Sequence, residues 1–359
     1  MIPKTLGDVT NEWLSSILKA EVTQQPAVQI GQGIGLMGDI YRVALNYAGA
    51  TPADAPSSIV VKLPSSFEEN REQGVALGMF EAEVRFYNEM APEATVGLPE
   101  VYHAEIETGT ANFVIVMEDL SDLTMVNQST GMNTEQALAV VKVLASLHAV
   151  WWNKVQDGNL DWIPDMIGPR IEFVDAYLVQ VFGAFKDNFA DQLPTDALKI
   201  YEQFIGNYQK INQRFAGRSP WTLAHQDFRV ENVMFSASGS DRVVVIDWQG
   251  IGRGPGAYDL SYILGGSMEP ELRRTHEQAL VAAYHNRLLE CGITDYALEQ
   301  LQDDYGHAHL MGGLATSILT GGAMDLSNER GKALVATMAR RHGIAAADHK
   351  GLDRLKDIV

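Results

Sequence analysis

LAHQDFRVENVMF (223–235) and RVVVIDWQG (242–250) are the stretches that decide the interpretation of this chain. The first contains the pattern H-x-D-x4-N, in which Asp227 precedes Asn232, and the second places Asp247 after a run of β-branched residues. A carboxylate can accept the proton of an attacking hydroxyl group, and asparagine and aspartate supply hard oxygen ligands to Mg²⁺. Because Asp227 and Asn232 are so close in the chain, one tight loop can aim both at one γ-phosphate. The two stretches therefore indicate phosphoryl transfer.

Two further residues of the first stretch have open roles. His225 is either an ordinary local cap or part of the catalytic loop, and within such a loop we expect it to brace the backbone by hydrogen bonds. Arg229 either offsets negative charge on the transferring phosphoryl group or forms a loop salt bridge. The three residues Asp227, Asn232 and Asp247 are much harder to explain together as caps.

Charge and composition exclude several classes of partner. The chain has 359 residues, with 27 basic and 46 acidic side chains and a net charge of −19. So acidic a surface disfavours nucleic acid and anionic membranes as partners, although a local basic site for a small phosphate remains possible. The single cysteine, Cys291, permits neither an intrachain disulfide nor a cysteine-rich zinc site. With no signal-peptide pattern and no apolar run long enough to span a membrane, we expect a compact cytoplasmic protein.

The sequence changes from mainly strand-type to mainly helix-type patterns between residues 120 and 133. We therefore expect an α+β protein with a sheet domain at 1–120 and a larger helical domain at 121–359, which contains the loop 223–232 and the segment 246–250. Strands are predicted at 27–48 (a hairpin around a glycine-rich bend), 57–64, 99–107 and 111–120, followed by short β segments at 232–235 and 242–247. Helices are predicted at 10–19, 73–91, 134–152 (with a threonine N-cap), 171–187 and 195–215, and within 257–346.

Lys62 lies inside the apolar strand SSIVVKLP (57–64). A lysine buried among aliphatic side chains is costly unless a carboxylate is paired with it. The helix predicted from residue 73 offers two candidates, Glu81 and Glu83. The strand pattern thus predicts a buried ion pair between the strand and the helix.

HQDFRVEN resembles the catalytic loop of the protein-kinase-like superfamily, and IDWQG occupies the place of its DFG segment. The chain as a whole resembles the small-molecule branch, which comprises the aminoglycoside phosphotransferase, choline kinase and ecdysteroid-kinase-like families. In that branch Asp-Trp replaces Asp-Phe-Gly, as Asp247-Trp248 does here. The resemblance covers nearly the full length. It implies a bilobal fold, with a small mixed-sheet N-lobe and a helical C-lobe, and a phosphotransferase that uses ATP and Mg²⁺.

The resemblance also implies roles for individual residues. Asp227 would orient and deprotonate the acceptor hydroxyl, and Asn232 and Asp247 would bind the metal. Lys62 would hold the ATP phosphates, and the family spacing selects Glu83 as its partner. The segment VIVMEDL (114–120) resembles the hinge that receives adenine, and the loop GQGIGLMGDIYRV resembles the nucleotide loop. These two segments assign Met117, Glu118, Leu120, Gly33 and Gly35 to nucleotide binding.

Two departures from the family pattern stand out. Gln226 replaces the glycine that usually follows the histidine of the catalytic loop. The glycine-rich bend lacks the G-x-G-x-x-G-x-V spacing of protein kinases, although its glycines still allow backbone amides to approach a phosphate.

The expected partner is a small-molecule hydroxyl acceptor, and the segment 151–220 is where the resembling families bind it. A cationic acceptor, of the aminoglycoside or choline type, would use carboxylates and aromatic faces. A flat apolar alcohol would use the aromatics and the apolar stretch 309–324. That stretch favours an apolar or amphipathic acceptor, steroid-like or phenol-like. The aromatic candidates are Trp151, Trp152, Trp162, Phe173, Tyr177, Phe182 and Phe185. The carboxylate candidates are Asp157, Asp161, Asp165, Glu172 and Asp175.

Two other functions compete with this one. A protein kinase is disfavoured because no A-P-E-like segment follows Asp247 and helix is expected from about residue 257. A catalytically inactive nucleotide-binding protein predicts the loss of at least one of Lys62, Asp227, Asn232 and Asp247, yet all four are present.

Overall fold

The computed structural model of the chain contains two compact units. The first comprises Met1–Leu123 and Ile246–Gly250, and the second Thr124–Val245 and Ile251–Val359. The sequence assigns residues 246–250 to the helical domain, whereas the structure groups them with the first unit. The first unit is built on a sheet and the second is mostly helical, which confirms the predicted α+β class. The residues that the structure describes are 2–31, 37–49, 54–94, 96–156, 158–217, 220–237, 242–323 and 329–358.

The first unit contains a six-stranded sheet with the order β1-β3-β4-β6-β5, and β2 pairs with β3. Every pairing in the described sheet is antiparallel, so the sequence-based expectation of a mixed sheet is wrong. The strands β4 and β5 do run parallel, but β6 lies between them and is antiparallel to both. The strands are β1 (Val22–Gln24), β2 (Val28–Ile30), β3 (Gly38–Tyr47), β4 (Ser58–Pro64), β5 (Val101–Ile106) and β6 (Phe113–Glu118). The helices are α1 (Asn11–Leu18), α2 (Glu68–Ala76) and α3 (Met79–Arg85), and α3 continues into a π-helical segment at Phe86–Met90.

Strand β4 separates two environments within this unit. Ile59, Val61 and Leu63 belong to one buried cluster, which also contains Leu14 of α1. Since side chains alternate along a strand, Lys62 points to the opposite face. The same strand that builds the core therefore presents its one cation away from it.

The helix predicted at 73–91 is divided in two. Gly78 adopts the left-handed region with φ +67°, where glycine is the least strained residue, and this ends α2 and starts α3. A Cβ atom at Gly74 would lie 2.2 Å from Cζ of Phe80, so the helices meet closely at this corner. The break sets the direction of α3 independently of α2.

The second unit combines ten helices in its described residues with two small sheets. One sheet has the order β10-β9-β7, and the other is the antiparallel pair β11-β8, which the sequence pattern did not reveal. None of the described helices is both long and apolar enough to span a bilayer. The helices are α4 (Thr134–Val150), α5 (Pro169–Phe189), α6 (Thr195–Phe204), α7 (Tyr208–Ala216), α8 (Ala257–Ser267), α9 (Pro270–Glu290), α10 (Leu298–Ala308), α11 (Gly312–Ala323), α12 (Glu329–Asp348) and α13 (Gly351–Lys356). The strands are β7 (Thr124–Met125), β8 (Trp221–Ala224), β9 (Val233–Phe235), β10 (Val243–Val245) and β11 (Gly252–Pro255).

Two local details differ from the sequence-based expectation. The N-cap of α4 is Asn133, not a threonine, because the Asn133 side chain accepts from the Gln136 backbone and the Gln136 side chain accepts in return. The helix predicted at 195–215 is broken into α6 and α7, with Gly206 at φ +72° between them.

Helix α11 is apolar because it is packed closely on three sides. Its glycines lie against buried side chains of α8 and α12: a Cβ atom at Gly312 would be 1.9 Å from the Tyr258 hydroxyl, and one at Gly313 would be 2.2 Å from Nδ1 of His342. At the other end of α11, a Cβ atom at Gly322 would lie 2.3 Å from the backbone oxygen of Val181 in α5. Helix packing thus accounts for the composition of 309–323, and residue 324 lies outside the described residues.

Adding a methyl group at Gly322 is expected to destabilise the protein by about 1–3 kcal/mol, because the backbone of α5 blocks it and cannot rotate away. The matched control is Gly183→Ala in α5, where a Cβ atom meets nothing within 4 Å. That change should stabilise by about 0.5–1 kcal/mol through helix propensity. Urea unfolding of both variants measures the difference, and equal effects at the two positions would contradict the close approach.

Candidate active site

Lys62 forms a buried ion pair with the carboxylate of Glu83. Lys62 Nζ lies 2.6 Å from Glu83 Oε2 and 3.4 Å from Asp247 Oδ1, all within the first unit. The Glu83 side chain is 1% exposed, whereas that of Asp247 is 28% exposed. The other candidate, Glu81, lies 3.7 Å from Arg85 on the outer side of the helix. Of the two carboxylates left open by the strand pattern, Glu83 is thus the one that contacts Lys62.

Electrostatics keeps Lys62 charged. Burial alone would lower the pKa of the Lys62 ammonium, but the carboxylates of Glu83 and Asp247 outweigh burial and raise it above its ordinary value. Glu83 reaches Lys62 because the start of α3 is fixed by the left-handed turn at Gly78. Lys62 therefore keeps its positive charge next to one partly exposed carboxylate, that of Asp247.

Asp247 is held in an unusual backbone conformation. Its φ of +67° lies in the left-handed region, which side chains other than glycine rarely adopt. The next residue, Trp248, is buried and stacks on Phe86 with ring centroids 4.0 Å apart and planes 7° apart. Gln249 donates from Nε2 to Asp247 Oδ2 at 3.3 Å. The stacked tryptophan anchors the segment and directs the neighbouring aspartate towards Lys62.

The residues predicted to form the hinge lie at and just after the end of β6. The Glu118 backbone N–H donates to the Glu100 carbonyl at 2.8 Å, and the Leu120 carbonyl accepts from the Leu123 N–H at 2.9 Å. Met117 and Leu120 are buried. The other residues assigned to nucleotide binding, Gly33 and Gly35, lie outside the described residues.

Asp119, within the predicted hinge, was not among the predicted site residues. Its carboxylate accepts from Arg42 Nε at 3.0 Å and from Ser58 Oγ at 2.6 Å, so it ties the end of β6 to β3 and β4. Ser121 adds a backbone N–H at 3.1 Å. The available signal was an acidic residue at the end of a continuously apolar strand, a position that needs a buried partner.

In the second unit, the loop that contains Asp227 is held by hydrogen bonds to the Asp259 carboxylate. The backbone N–H groups of His225 and Gln226 donate to the two Asp259 oxygens at 2.7 and 3.0 Å. Asp259 is fully buried and also contacts His148 Nε2 at 3.2 Å. The His225 ring accepts from the Asp227 N–H through Nδ1 at 3.3 Å. His225 therefore braces the backbone before Asp227.

Asp227 accepts hydrogen bonds on both carboxylate oxygens. Oδ2 receives Asn232 Nδ2 at 3.0 Å and Arg229 Nε at 3.4 Å, and Oδ1 receives the Tyr262 hydroxyl at 3.0 Å. The Asp227 side chain is nevertheless 38% exposed. The carboxylate is thus oriented by its neighbours and still accessible.

The orientation of the Asn232 amide follows from its partners. Nδ2 donates to the Asp227 carbonyl at 2.8 Å as well as to the carboxylate, and both partners are pure acceptors. The amide nitrogen must therefore face Asp227 and the amide oxygen must face away. Among the described residues no donor occupies that oxygen, which leaves it able to bind a cation.

Arg229 is a member of the loop's own ion-pair network. It lies 3.4 Å from Asp227 and contacts the buried carboxylate of Glu231. Burial would lower the pKa of the Arg229 guanidinium, but these two carboxylates outweigh burial and raise it. The loop salt bridge is present, and the same cation lies next to the Asp227 carboxylate, so the geometry is compatible with both roles left open by the sequence.

Gln226 occupies the position at which the resembling families have glycine, and the structure shows why glycine suits it. Its φ of +67° is left-handed. The Gln226 side chain packs against Gly252, where a Cβ atom would lie 1.9 Å from Gln226 Nε2. Arg170 donates a hydrogen bond to Gln226 Oε1. Two compensations, one glycine and one arginine, therefore accommodate glutamine in a glycine conformation.

A sequence model of the ecdysteroid kinase-like family matches residues 32–294. The chain belongs to the ecdysteroid kinase-like family. Two curated relatives from Caenorhabditis elegans are an uncharacterized kinase-like protein, 23% identical over 67% of this chain and 65% of its own length, and an uncharacterized oxidoreductase, 24% identical over 63% of this chain and 29% of its own length. The chain thus spans less than two thirds of either relative.

Solved structures show the same fold for this member of the ecdysteroid kinase-like family. Choline kinase from Cryptosporidium parvum matches with a TM-score of 0.58 at 10% identity, covering 98% of this chain and 94% of the other. The GDP complex of wild-type aminoglycoside 2′-phosphotransferase-IIIa matches with a TM-score of 0.54 at 11% identity, covering 92% and 94%. The matches confirm the predicted resemblance to these families and the protein-kinase-like fold.

The carboxylates that the sequence offered to a cationic acceptor already have partners in this family member. Asp161 and Asp165 lie 3.2 and 3.6 Å from Arg253. Asp175 caps α7 by accepting the Tyr208 backbone N–H at 3.1 Å, and Glu172 accepts from Gln209 at 2.8 Å. Asp157 lies outside the described residues.

The aromatic candidates divide into core and surface. Trp151, Trp152 and Phe185 are buried, and Phe182 and Trp162 are half-buried. On α5, Phe173 is 61% exposed and stacks with Tyr177 at a centroid distance of 6.2 Å. An exposed stacked aromatic pair is the feature of this segment that core packing leaves unexplained.

A second group of metal-binding side chain types occurs in the helical unit. Glu277, His309 and His349 bring one ligand atom each within 4.8 Å of one another. Arg273 lies 2.5 Å from the Glu277 carboxylate, and Tyr305 also donates to it at 3.3 Å. Burial lowers the pKa of His309, and the nearby cations add to that effect. The carboxylate of this partly buried cluster is therefore already paired with a buried arginine, Arg273.

Proposed function

We propose that this protein is an ATP- and Mg²⁺-dependent phosphotransferase that moves the γ-phosphate to a hydroxyl group of a small molecule. The observation that carries the proposal is the loop contact between Asp227 and Asn232, in which one amide both fixes an accessible carboxylate and turns its own oxygen outward. A base and a hard oxygen ligand in one rigid loop match the needs of phosphoryl transfer.

Asp227 would act on the acceptor hydroxyl. Its carboxylate accepts the hydroxyl proton as the acceptor oxygen forms a bond to the γ-phosphorus, while the bond from phosphorus to the bridging oxygen breaks and ADP departs with that electron pair. Positioning and charge neutralisation, not covalent catalysis, supply the rate enhancement. Arg229, beside Asp227, adds a fixed positive charge near the oxygens of the transferring group.

The residues present fit both the nucleotide and the metal. Lys62 carries a charge that Glu83 maintains, and it is suited to the phosphates of ATP. Asn232 and Asp247 are the side chains that we propose as Mg²⁺ ligands. Among the described residues, no donor contacts the amide oxygen of Asn232, and the carboxylate of Asp247 is partly exposed. When bound, Mg²⁺ would neutralise phosphate charge.

We propose an apolar or amphipathic hydroxyl compound, steroid-like or phenol-like, as the acceptor. The apolar stretch 309–324 no longer supports this choice, since helix packing explains its described residues. Support comes instead from α5, where Phe173 and Tyr177 are exposed and stacked, and from the engaged state of the carboxylates that a cationic acceptor would use. The family's description, which refers to ecdysteroids, agrees with a flat polycyclic alcohol. We also propose a cytoplasmic location; the one cysteine, Cys291, is exposed and free, which fits a reducing compartment without requiring one.

The proposal is tested by incubating the purified protein with ATP and MgCl₂ and a panel of sterols, phenols, amino alcohols and aminoglycosides. ADP release is measured alongside mass spectrometry for a product heavier by one phosphoryl group. We expect transfer to members of the sterol and phenol sets, abolished by EDTA. Transfer confined to the aminoglycosides or amino alcohols would overturn the acceptor class, and ATP binding without transfer to any compound would overturn the enzymatic function.

The exposed aromatic pair has its own test. Phe173→Ser is expected to raise KM for the apolar acceptor by about 10-fold, the scale of losing one large apolar contact, with KM for ATP unchanged. Phe67→Ser in the first unit is the matched control, because Phe67 is 69% exposed and so also presents a large apolar surface. Equal KM values for the acceptor in both variants would remove α5 from the acceptor site.

A further inference from the structure

Tyr262 places a buried hydroxyl group on the catalytic carboxylate. Its Oη lies 3.0 Å from Asp227 Oδ1, and the ring is almost fully buried. Burial, and next the negative charge of Asp227, raise the pKa of the Tyr262 hydroxyl well above its ordinary value. The phenol therefore stays protonated and donates to the carboxylate.

The direction of the hydrogen bond between Tyr262 and Asp227 is fixed by the acceptor. The Asp227 carboxylate can only accept a hydrogen bond, so the Tyr262 hydroxyl is the donor of this contact. The ring is fixed by His342, edge to face at 5.1 Å, and by Tyr258, stacked at 6.3 Å.

Two residues of helix α8 contact the loop that contains Asp227. Asp259 and Tyr262 are three residues apart and share one helix face. Asp259 holds the loop backbone at His225 and Gln226, and Tyr262 holds the side chain of Asp227. The spacing is visible in GAYDLSYIL (256–264), but only the structure shows that both residues contact the loop around Asp227.

The donors around Asp227 leave one position for the acceptor. A carboxylate oxygen has two lone pairs, and Oδ2 receives two donors, Asn232 and Arg229. Among the described residues, Oδ1 receives only Tyr262. The remaining lone pair of Oδ1 is therefore the atom-level site at which a proton can be accepted, and Tyr262 sets its direction.

We propose that Tyr262 is a positioning residue for the general base: by donating to Oδ1, it fixes Asp227 so that the free lone pair of Oδ1 receives the acceptor's proton. The inference rests on the proposed phosphotransferase function and adds to it a residue outside the catalytic loop. Tyr262 touches no reacting atom and acts only through Asp227.

The test compares Tyr262→Phe with Tyr201→Phe. Phenylalanine keeps the ring packing of Tyr262 and removes only the donor. Tyr201 is an equally buried phenol that donates to the Ala339 carbonyl at 2.9 Å, away from the loop. Loss of a hydrogen bond to a charged group is expected to lower kcat for Tyr262→Phe by about 10- to 100-fold, with KM for ATP within about twofold. Tyr201→Phe should leave kcat unchanged.

A double-mutant cycle distinguishes positioning from general support of the fold. In an Asp227→Asn background, Tyr262→Phe should cause no further loss of the residual turnover, since there is no base left to position. An equal loss in both backgrounds, or wild-type kcat in the folded single variant, overturns the assignment while leaving the proposed function standing. Absence of transfer by the wild-type protein overturns both.

Discussion

Replacing Asp227 with asparagine is expected to lower kcat by about 10²–10⁴-fold, the usual contribution of a general base, while ATP affinity stays within about twofold. Asparagine has nearly the same shape but cannot accept the acceptor's proton as a carboxylate does. ATP binding should be unaffected because the residue proposed to hold the phosphates is Lys62, which is unchanged in this variant. Steady-state phosphotransfer and a separate titration of ATP binding measure the two effects.

Stability is the necessary control for this variant. Asp227 is partly exposed, so its neutralisation should change the free energy of unfolding far less than loss of a buried charge. The matched variant is Asp353→Asn on α13, a surface aspartate 2.9 Å from Lys356, which should change neither turnover nor unfolding. Near-wild-type turnover of Asp227→Asn in a folded protein would falsify the role of Asp227 as the base.

The sequence contained enough information for the framework of the fold. Buried strands such as 57–64 and long periodic helices such as α4 depend on local pattern, which one sequence displays directly. The break at Gly78 was not predicted, because a helical pattern often continues through a glycine, and only the packing of Gly74 on Phe80 shows the corner. The β8–β11 pair escaped because Gly252–Pro255 has the composition of a loop.

The candidate site divides in the same way. The contact of Lys62 with Glu83 could be anticipated, since a buried lysine requires a carboxylate and the family spacing selects one. Tyr262 and Asp119 could not, because each acts through a hydrogen bond to a residue far away in the chain. A side chain whose partner is 35 residues distant leaves no periodic signal in the sequence.

Lys62→Met is expected to impair both stability and catalysis. Glu83 would remain as a buried carboxylate without its cation, and breaking a buried pair in this way costs about 3–5 kcal/mol of unfolding free energy. Loss of a fixed positive charge at the phosphates should lower kcat/KM by about 10²–10³-fold in whatever fraction stays folded. Urea unfolding and initial rates at saturating acceptor measure the two effects. In the single variant, however, the loss of stability and the loss of activity occur together.

The double variant Lys62→Met with Glu83→Leu separates them. Replacing a buried ion pair by apolar side chains of similar volume is often neutral or stabilising, so unfolding free energy should return to within about 1 kcal/mol of wild type. The charge of the Asp247 carboxylate should be tolerated without Lys62 because this side chain is partly exposed to solvent. Turnover should stay as low as in the single variant, since the charge that holds phosphate is still missing. Recovery of turnover together with stability would mean that the pair serves only to hold α3 against β4, and the phosphate-binding role of Lys62 would be withdrawn.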